Sequence, residues 1–264
     1  MRLFLATAFA LGWLFQYLAL YNPLWLVAAM WTPALGAILE MKKKGSLRPR
    51  PLRSELGSLV RIYRATAPAA AWLLLMCGVA YFLIGLQPLD LEKALQGRIP
   101  LWWYLATTAF MAPLAPVINA FLATFGEELG WRGYLLPRLA SRYGWGGASV
   151  VVGLVWGLWH TPAILLLGHN YGKTWCLPCL ALFVLLTIPM SFIHTWAYLK
   201  YGVWGAAFLH GAVNGWAGIY VLLYSQTIGD LLWGLAGIYG AATLSIVAAV
   251  FWIGLKSSLP PSGG

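Results

Sequence analysis

Stretches of about twenty apolar residues recur along this chain with hardly a charge inside them. A helix of that length rises about 30 Å, the thickness of the hydrocarbon layer of a bilayer. The runs do not alternate apolar with polar residues, as the strands of a membrane barrel must. In lipid each backbone polar group has to be satisfied within its own segment or a closed barrel, and a helix does this unaided. The chain is therefore expected to be all-α, a polytopic integral membrane protein. Composition bears on one point. Hydrophobic residues make up 61% and charged residues 9%, whereas a soluble domain carries about 25% charged residues. A soluble fold of this chain would lack the polar groups to cover its surface.

Eight helices are expected, at 2–21, 23–41, 66–86, 101–125, 147–167, 175–199, 203–224 and 229–255. Together they make one transmembrane domain over 1–256, followed by a Ser/Pro/Gly-rich tail, 257–264, that reads as disordered. Asn22-Pro23 reads as the turn between the first two. One strongly polar stretch, 42–64, carries Lys42, Lys43, Lys44, Arg48, Arg50, Arg53, Arg61 and Arg64. Its second half, 54–64, is either an amphipathic helix on anionic headgroups or a solvated loop that only sets topology. With both termini in the cytoplasm, 14 basic residues fall on the cytoplasmic side, Arg132 among them. Lys93, Arg98 and Lys173 fall on the far side. That split obeys the positive-inside rule, and it accounts for the net charge of +10 without nucleic acid. The first apolar run has no small-x-small cleavage pattern after it and is expected to be retained as a span. Cys176 and Cys179 form a C-x-x-C with no second pair to complete a zinc site. They read as small apolar residues at the start of a span, with a redox or metal pair as the alternative.

Charge at membrane depth is costly and marks function. Glu127 and Glu128 follow the apolar run 119–125 and precede Gly-Trp-Arg-Gly-Tyr. Adjacent helical residues point about 100° apart, so the two carboxylates serve different partners. Arg132 stands four residues after Glu128, the spacing and order of a helical ion pair. Glu128 then reads as the compensated, structural carboxylate, and Glu127 as the one free to act as a base. Pro113 and Pro116 lie upstream and are suited to opening a cavity there. His160 closes Trp-Gly-Leu-Trp-His, where Gly153 and Gly157 allow close helix approach. His210 and Asn214 share one helical face at i, i+4. His169 reads as a solvent-facing loop residue and His194 as a packing histidine.

Three segments resemble, in order and spacing, the motifs of the CAAX prenyl protease and bacteriocin-processing (ABI) family of intramembrane proteases. Glu127-Glu128-x-x-x-Arg132 is similar to the family's E-E-x-x-x-R. Trp156-x-x-x-His160 corresponds to a motif that usually begins with Phe, and Trp keeps the aromatic. His210-x-x-x-Asn214 is similar to H-x-x-x-N. The motifs cover residues 125–215, about a third of the chain.

The resemblance implies a peptidase that cleaves a lipidated or hydrophobic substrate. Glu127 and His160 would bind and activate water, and His210 and Asn214 would donate to the oxyanion. Glu128 and Arg132 would support the helix that carries the base. A metal-free glutamate mechanism is favoured, because Asn is a poor zinc ligand and a good oxyanion donor. The alternative is zinc on Glu127, His160 and His210. The absence of H-E-x-x-H excludes the ordinary zincin arrangement. Under the topology above, Glu127 begins the cytoplasmic end of the fourth span and the cavity opens to the cytoplasm. Expected partners are a prenylated or hydrophobic peptide and membrane lipid. Two non-proteolytic alternatives are a membrane scaffold and a small transporter that uses Glu127 and His160 as a proton relay.

Overall fold

The computed structural model describes residues 1–45, 59–95 and 97–256. The sequence expectations for Arg48, Arg50 and Arg53, for 54–58 and for the tail 257–264 lie outside the described residues. Among the described residues the chain is all-helical, with no strand.

Helices α1 (Arg2–Leu18) and α2 (Trp25–Lys43) form a hairpin. Asn22 makes its turn, with Oδ1 accepting the Leu24 N–H at 3.0 Å. Glu40 ties the open end. Its Oε2 accepts the Phe4 N–H at 3.0 Å, and its Oε1 lies 2.6 Å from the α-amino group of Met1. A first-turn N–H that the helix leaves unpaired thus gains a partner. Next come α3 (Leu59–Leu83), α4 (Leu101–Trp159), the single turn α5 (Thr161–Leu165), α6 (Leu177–Leu223) and α7 (Ile238–Lys256). By length and composition, α3, α4, α6 and the Ile238–Leu255 stretch of α7 can cross a membrane. Their outer faces are apolar, with Phe82, Phe110 and Ile253 exposed at 80%, 69% and 66%.

Two glycines fold the long helices back on themselves. Gly144 (φ 67°, ψ 169°) interrupts α4, and Gly202 (φ 71°, ψ −166°) interrupts α6. That backbone region is essentially reserved for glycine. The limb of α4 after Gly144 lies along α6, where Thr187 Oγ1 donates to the Gly153 carbonyl at 2.9 Å. A Cβ on Gly153 would stand 2.8 Å from Ile188 Cα, and one on Gly157 2.8 Å from Val184 Cα. The close approach read from these two glycines is present.

The fourth span differs from its expected end at residue 125. The helix runs on through Glu127, Glu128 and Arg132 to the bend at Gly144. Closely spaced charges suggest a loop, but here they face the interior, where Arg132 compensates Glu128 and Glu127 accepts from Trp156. The backbone makes room by widening to π-helical turns at Ala120–Thr124 and Leu129–Leu135, on either side of the α-helical turn Phe125–Glu128. Such turns re-aim side chains and recur at functional sites. Gly126 lets this segment press on α2, where a Cβ would meet the Met30 carbonyl oxygen at 2.7 Å. The last helix also starts later than residue 229. Asp230 Oδ1 accepts the N–H groups of Leu232 and Trp233 at 2.7 and 3.0 Å and holds that stretch in turns.

Candidate active site

Glu127 and Glu128 are 1% and 0% exposed and diverge from the same short turn. Glu128 Oε1 accepts from Arg132 Nη1 at 2.9 Å and from His210 Nδ1 at 2.9 Å. Arg132, which the sequence places in a cytoplasmic loop, is 0% exposed. Its ion pair with Glu128 is the one that the i, i+4 spacing suggests. Glu127 turns the other way, and its Oε2 accepts the Trp156 Nε1–H at 2.7 Å.

Trp156 stands at the centre of the site. Its ring lies 5.9, 5.3 and 5.2 Å from the rings of His160, His194 and His210, and the Arg132 guanidinium sits 4.5 Å over it. The two glycine bends explain why residues so distant in sequence converge. Glu127 and His160 lie 17 and 16 residues on either side of Gly144. His194 and His210 lie eight residues on either side of Gly202. Folding each helix back at its glycine brings each pair to the same level.

His160 sits at the break between α4 and α5. Pro162 has no N–H for the helical ladder, so the helix stops and backbone groups fall free. Buried Gln16 takes up two of them. Its Nε2 donates to the Trp159 carbonyl at 2.9 Å, and its Oε1 accepts the Ala163 N–H at 3.0 Å. His160 Nδ1 lies 2.9 Å from the Trp156 carbonyl. A carbonyl only accepts, so Nδ1 carries the proton and Nε2 keeps a lone pair.

A cavity of about 470 Å³ is lined by Glu127, His160, His210 and Asn214, the four residues that the sequence assigns to catalysis. Glu128 and Arg132 are not in its lining; they stand behind His210. Three features differ from the sequence reading. His194 is more than a packing residue, because its Nε2 lies 4.0 Å from Glu128 Oε1 and its ring 5.4 Å from that of His210. The symmetric placement of two histidines about Gly202 is the signal that would have found it. His169 is exposed as expected, yet it also lines the cavity. Cys176 and Cys179 are disulfide-bonded at the start of α6. None of Lys42, Lys43 and Lys44 lines the cavity. It extends toward the opposite loops, where Asn170, Leu235 and Ala236 form its wall.

The metal alternative also changes. Among the described residues, the group whose ligand atoms lie within 4.8 Å of one another is Glu128, His194 and His210, not Glu127, His160 and His210. A carboxylate and two imidazoles have zinc-binding chemistry, and Glu128 Oε2 and His194 Nε2 have no hydrogen-bond partner. Glu128 Oε1, however, already accepts a buried guanidinium, whose fixed positive charge opposes a divalent cation. Neither Glu128 nor His194 lines the cavity, so an ion there would offer no open position to a substrate, as a catalytic zinc must. A catalytic metal does not fit this donor set.

Comparison with known proteins agrees with the motifs. The family model described as "Type II CAAX prenyl endopeptidase Rce1-like" matches residues 99–216. That span contains Glu127, Glu128, Arg132, Trp156, His160, His194, His210 and Asn214. A curated relative named CAAX prenyl protease 2, from Methanococcus maripaludis, is 31% identical over 196 residues. The alignment covers 70% of this chain and 66% of the relative. Long apolar helices, their lipid-like exterior and this kinship agree on a membrane protein. The chain belongs to the Rce1-like family of CAAX prenyl endopeptidases.

Proposed function

We propose that this protein is an intramembrane endopeptidase that hydrolyses a peptide bond of a hydrophobic or prenylated substrate with a glutamate-activated water. The observation that carries the reading is the placement of the buried Glu127 carboxylate in one cavity with His160 and His210. In this reading water sits between Glu127 and His160 Nε2, whose lone pair accepts one of its protons as a hydrogen bond. Glu127 removes the other proton as the water oxygen attacks the scissile carbonyl, and then passes it to the leaving amine. The Trp156 N–H fixes one oxygen of Glu127 and leaves the other for the water.

Asn214 and His210 donate to the tetrahedral oxyanion. His210 Nδ1 lies 2.9 Å from Glu128 Oε1, a contact that fixes the orientation of the ring toward the cavity. Arg132 Nη1 holds the same carboxylate oxygen at 2.9 Å. In the same reading the chain crosses the membrane eight times as one domain over 1–256, because the glycine bends divide α4 and α6 into two spans each and α1 and α2 add two more. Both termini are cytoplasmic.

The test is cleavage of fluorogenic hydrophobic and prenylated peptides by purified protein in detergent, for wild type and Glu127→Gln, each with and without a strong zinc chelator. Activity lost in the variant and kept with chelator supports the proposal. Loss with chelator moves the reading to a metal enzyme. Activity that survives Glu127→Gln sinks the mechanism.

A further inference from the structure

One motif of the sequence stands apart from the charged cluster. Trp175-Cys176-Leu177-Pro178-Cys179 carries the C-x-x-C, and it opens α6. Cys176 is the N-cap residue, in extended backbone at φ −88° and ψ 93°. Its Sγ accepts the Cys179 N–H at 3.2 Å. Pro178 has no N–H to offer, so the Cys176 sulfur takes the place of a capping oxygen on the first turn. A thiolate there is stabilised by the free N–H groups of that turn and by the helix dipole.

The two sulfurs differ in access. Cys176 is half-buried, and its neighbours Thr174, Trp175, Leu177 and Pro178 are exposed. Cys179 is 0% exposed and belongs to the core. An incoming thiolate meets Cys176 first, which leaves Cys179 as the inner, resolving sulfur. Neither this asymmetry nor a sulfur in the capping position is needed to staple a fold.

The pair also stands between two parts of the cavity wall. Phe183 follows Cys179 by four residues and shares its helical face. It lines the cavity, with its ring 5.0 Å from that of His160. On the other side of the pair, the loop 166–176 carries the wall residues His169 and Asn170. That loop is tied back to α5 by the His169 N–H, which donates to the Ala163 carbonyl at 3.0 Å, and by the Trp175 N–H, which donates to the Leu165 carbonyl at 2.7 Å. Asn170 and Trp175 sit at φ 67° and 55°. Side chains other than glycine rarely adopt that region, and it persists where the surroundings hold it. The disulfide fixes the residue that follows Trp175.

We propose that Cys176 and Cys179 form a thiol–disulfide exchange site for an external dithiol, and that its redox state sets how firmly the cavity wall is held. In the reducing direction a thiolate of the dithiol attacks Cys176 Sγ. The Cys176–Cys179 bond breaks, and Cys179 Sγ leaves with the electron pair and takes up a proton. The second thiolate of the dithiol then attacks its own sulfur bonded to Cys176. A cyclic disulfide closes, and Cys176 is released as a thiolate at the N-cap. Two electrons pass from the dithiol to the protein. Reduction frees the first turn of α6, and the loop 166–176 loses its fixed end. Neither half of the proposal rests on the peptidase reading.

The test uses the full chain in detergent with Cys77→Ala, so that the pair supplies the only thiols. The protein is equilibrated in graded ratios of reduced to oxidised dithiothreitol, alkylated, and weighed by mass spectrometry, with tryptophan emission reporting the fold. The pair is expected to open in the folded protein and to close again when the ratio is reversed. Reduction only after SDS has unfolded the chain overturns the proposal. Cys179→Ser, which keeps Cys176, is expected to form a mixed disulfide with oxidised glutathione while folded, and Cys176→Ser only when unfolded. Equal reactivity or the reverse order overturns Cys176 as the attacked sulfur.

Hydrogen exchange compares the two redox states without either serine variant. Amides of 166–176 and of the first turns of α6 are expected to exchange about tenfold faster after reduction, the order expected when a short cross-linked loop is released. Those of α7 are expected to be unchanged. Equal exchange of 166–176 in both states overturns the link to the cavity wall.

Discussion

Glu128 and Arg132 form a fully buried pair, and its energetics can be worked from the contacts. Replacing Arg132 by Met leaves the Glu128 carboxylate in the interior with His210 Nδ1 as its remaining close donor. Removing one partner of a buried ion pair costs about 3–5 kcal/mol, since the survivor is left uncompensated. Replacing Glu128 by Gln instead strands the guanidinium, at a similar cost. The double variant Glu128→Gln/Arg132→Met removes both charges, and the Gln carbonyl still accepts from His210. Its cost is expected to be smaller than the two single costs together, giving a coupling of about 2–3 kcal/mol. Arg132 also loses its position over Trp156, but that loss occurs in both Met variants and cancels in the cycle. The assay is equilibrium unfolding with SDS in mixed micelles, followed by tryptophan fluorescence. Additive single and double variants, or an Arg132→Met variant within about 1 kcal/mol of wild type, would refute the view that a buried ionic hub holds His210.

Trp156→Phe keeps the ring but removes the donor to Glu127 Oε2; peptidase kcat is expected to fall about tenfold with KM little changed, as the carboxylate loses its fixed orientation. An unchanged kcat would show that this bond does not position the base. Gln16→Leu leaves the buried Ala163 N–H unpaired, which should cost about 1–3 kcal/mol in the same unfolding assay. Trp13 Nε1 still donates to the Trp159 carbonyl, so a much larger loss would mean that the helix break itself collapses. Gly202→Ala places a Cβ at φ 71° and should cost about 1–3 kcal/mol. Gly78→Ala, in open space within a helix, should be neutral or stabilising. Asn214→Ala should lower kcat about 100- to 1,000-fold if its amide is an oxyanion donor, and a wild-type rate would remove it from that role.

The motif residues could be found in the sequence because their spacing is local. Glu128 and Arg132 lie on one helical face at i, i+4 whatever the rest of the chain does, and so do His210 and Asn214. His194 could not be found that way. It joins Glu128 and His210 through a bend at Gly202, and nothing in its own neighbours, Ile193 and Thr195, points to a charged partner. The end of the fourth span was hidden for the opposite reason. A run of Glu, Glu and Arg looks like a loop until Glu128 and Arg132 are seen to pair in the interior and Glu127 to accept from Trp156. The C-x-x-C likewise reads the same in sequence whether its thiols are free or bonded.

By itself the sequence determined that this chain is helical and belongs in lipid, since apolar length and scarcity of charge leave no other solution. It also determined which polar residues stand out against that background. Tertiary structure decided which of them meet, because the sum of two glycine bends sets the levels of Glu127, His160, His194 and His210. It decided as well toward which end the cavity runs, because a cavity is bounded by loops, here 166–176 and 224–237, that are far apart in the chain and pinned together by long-range hydrogen bonds.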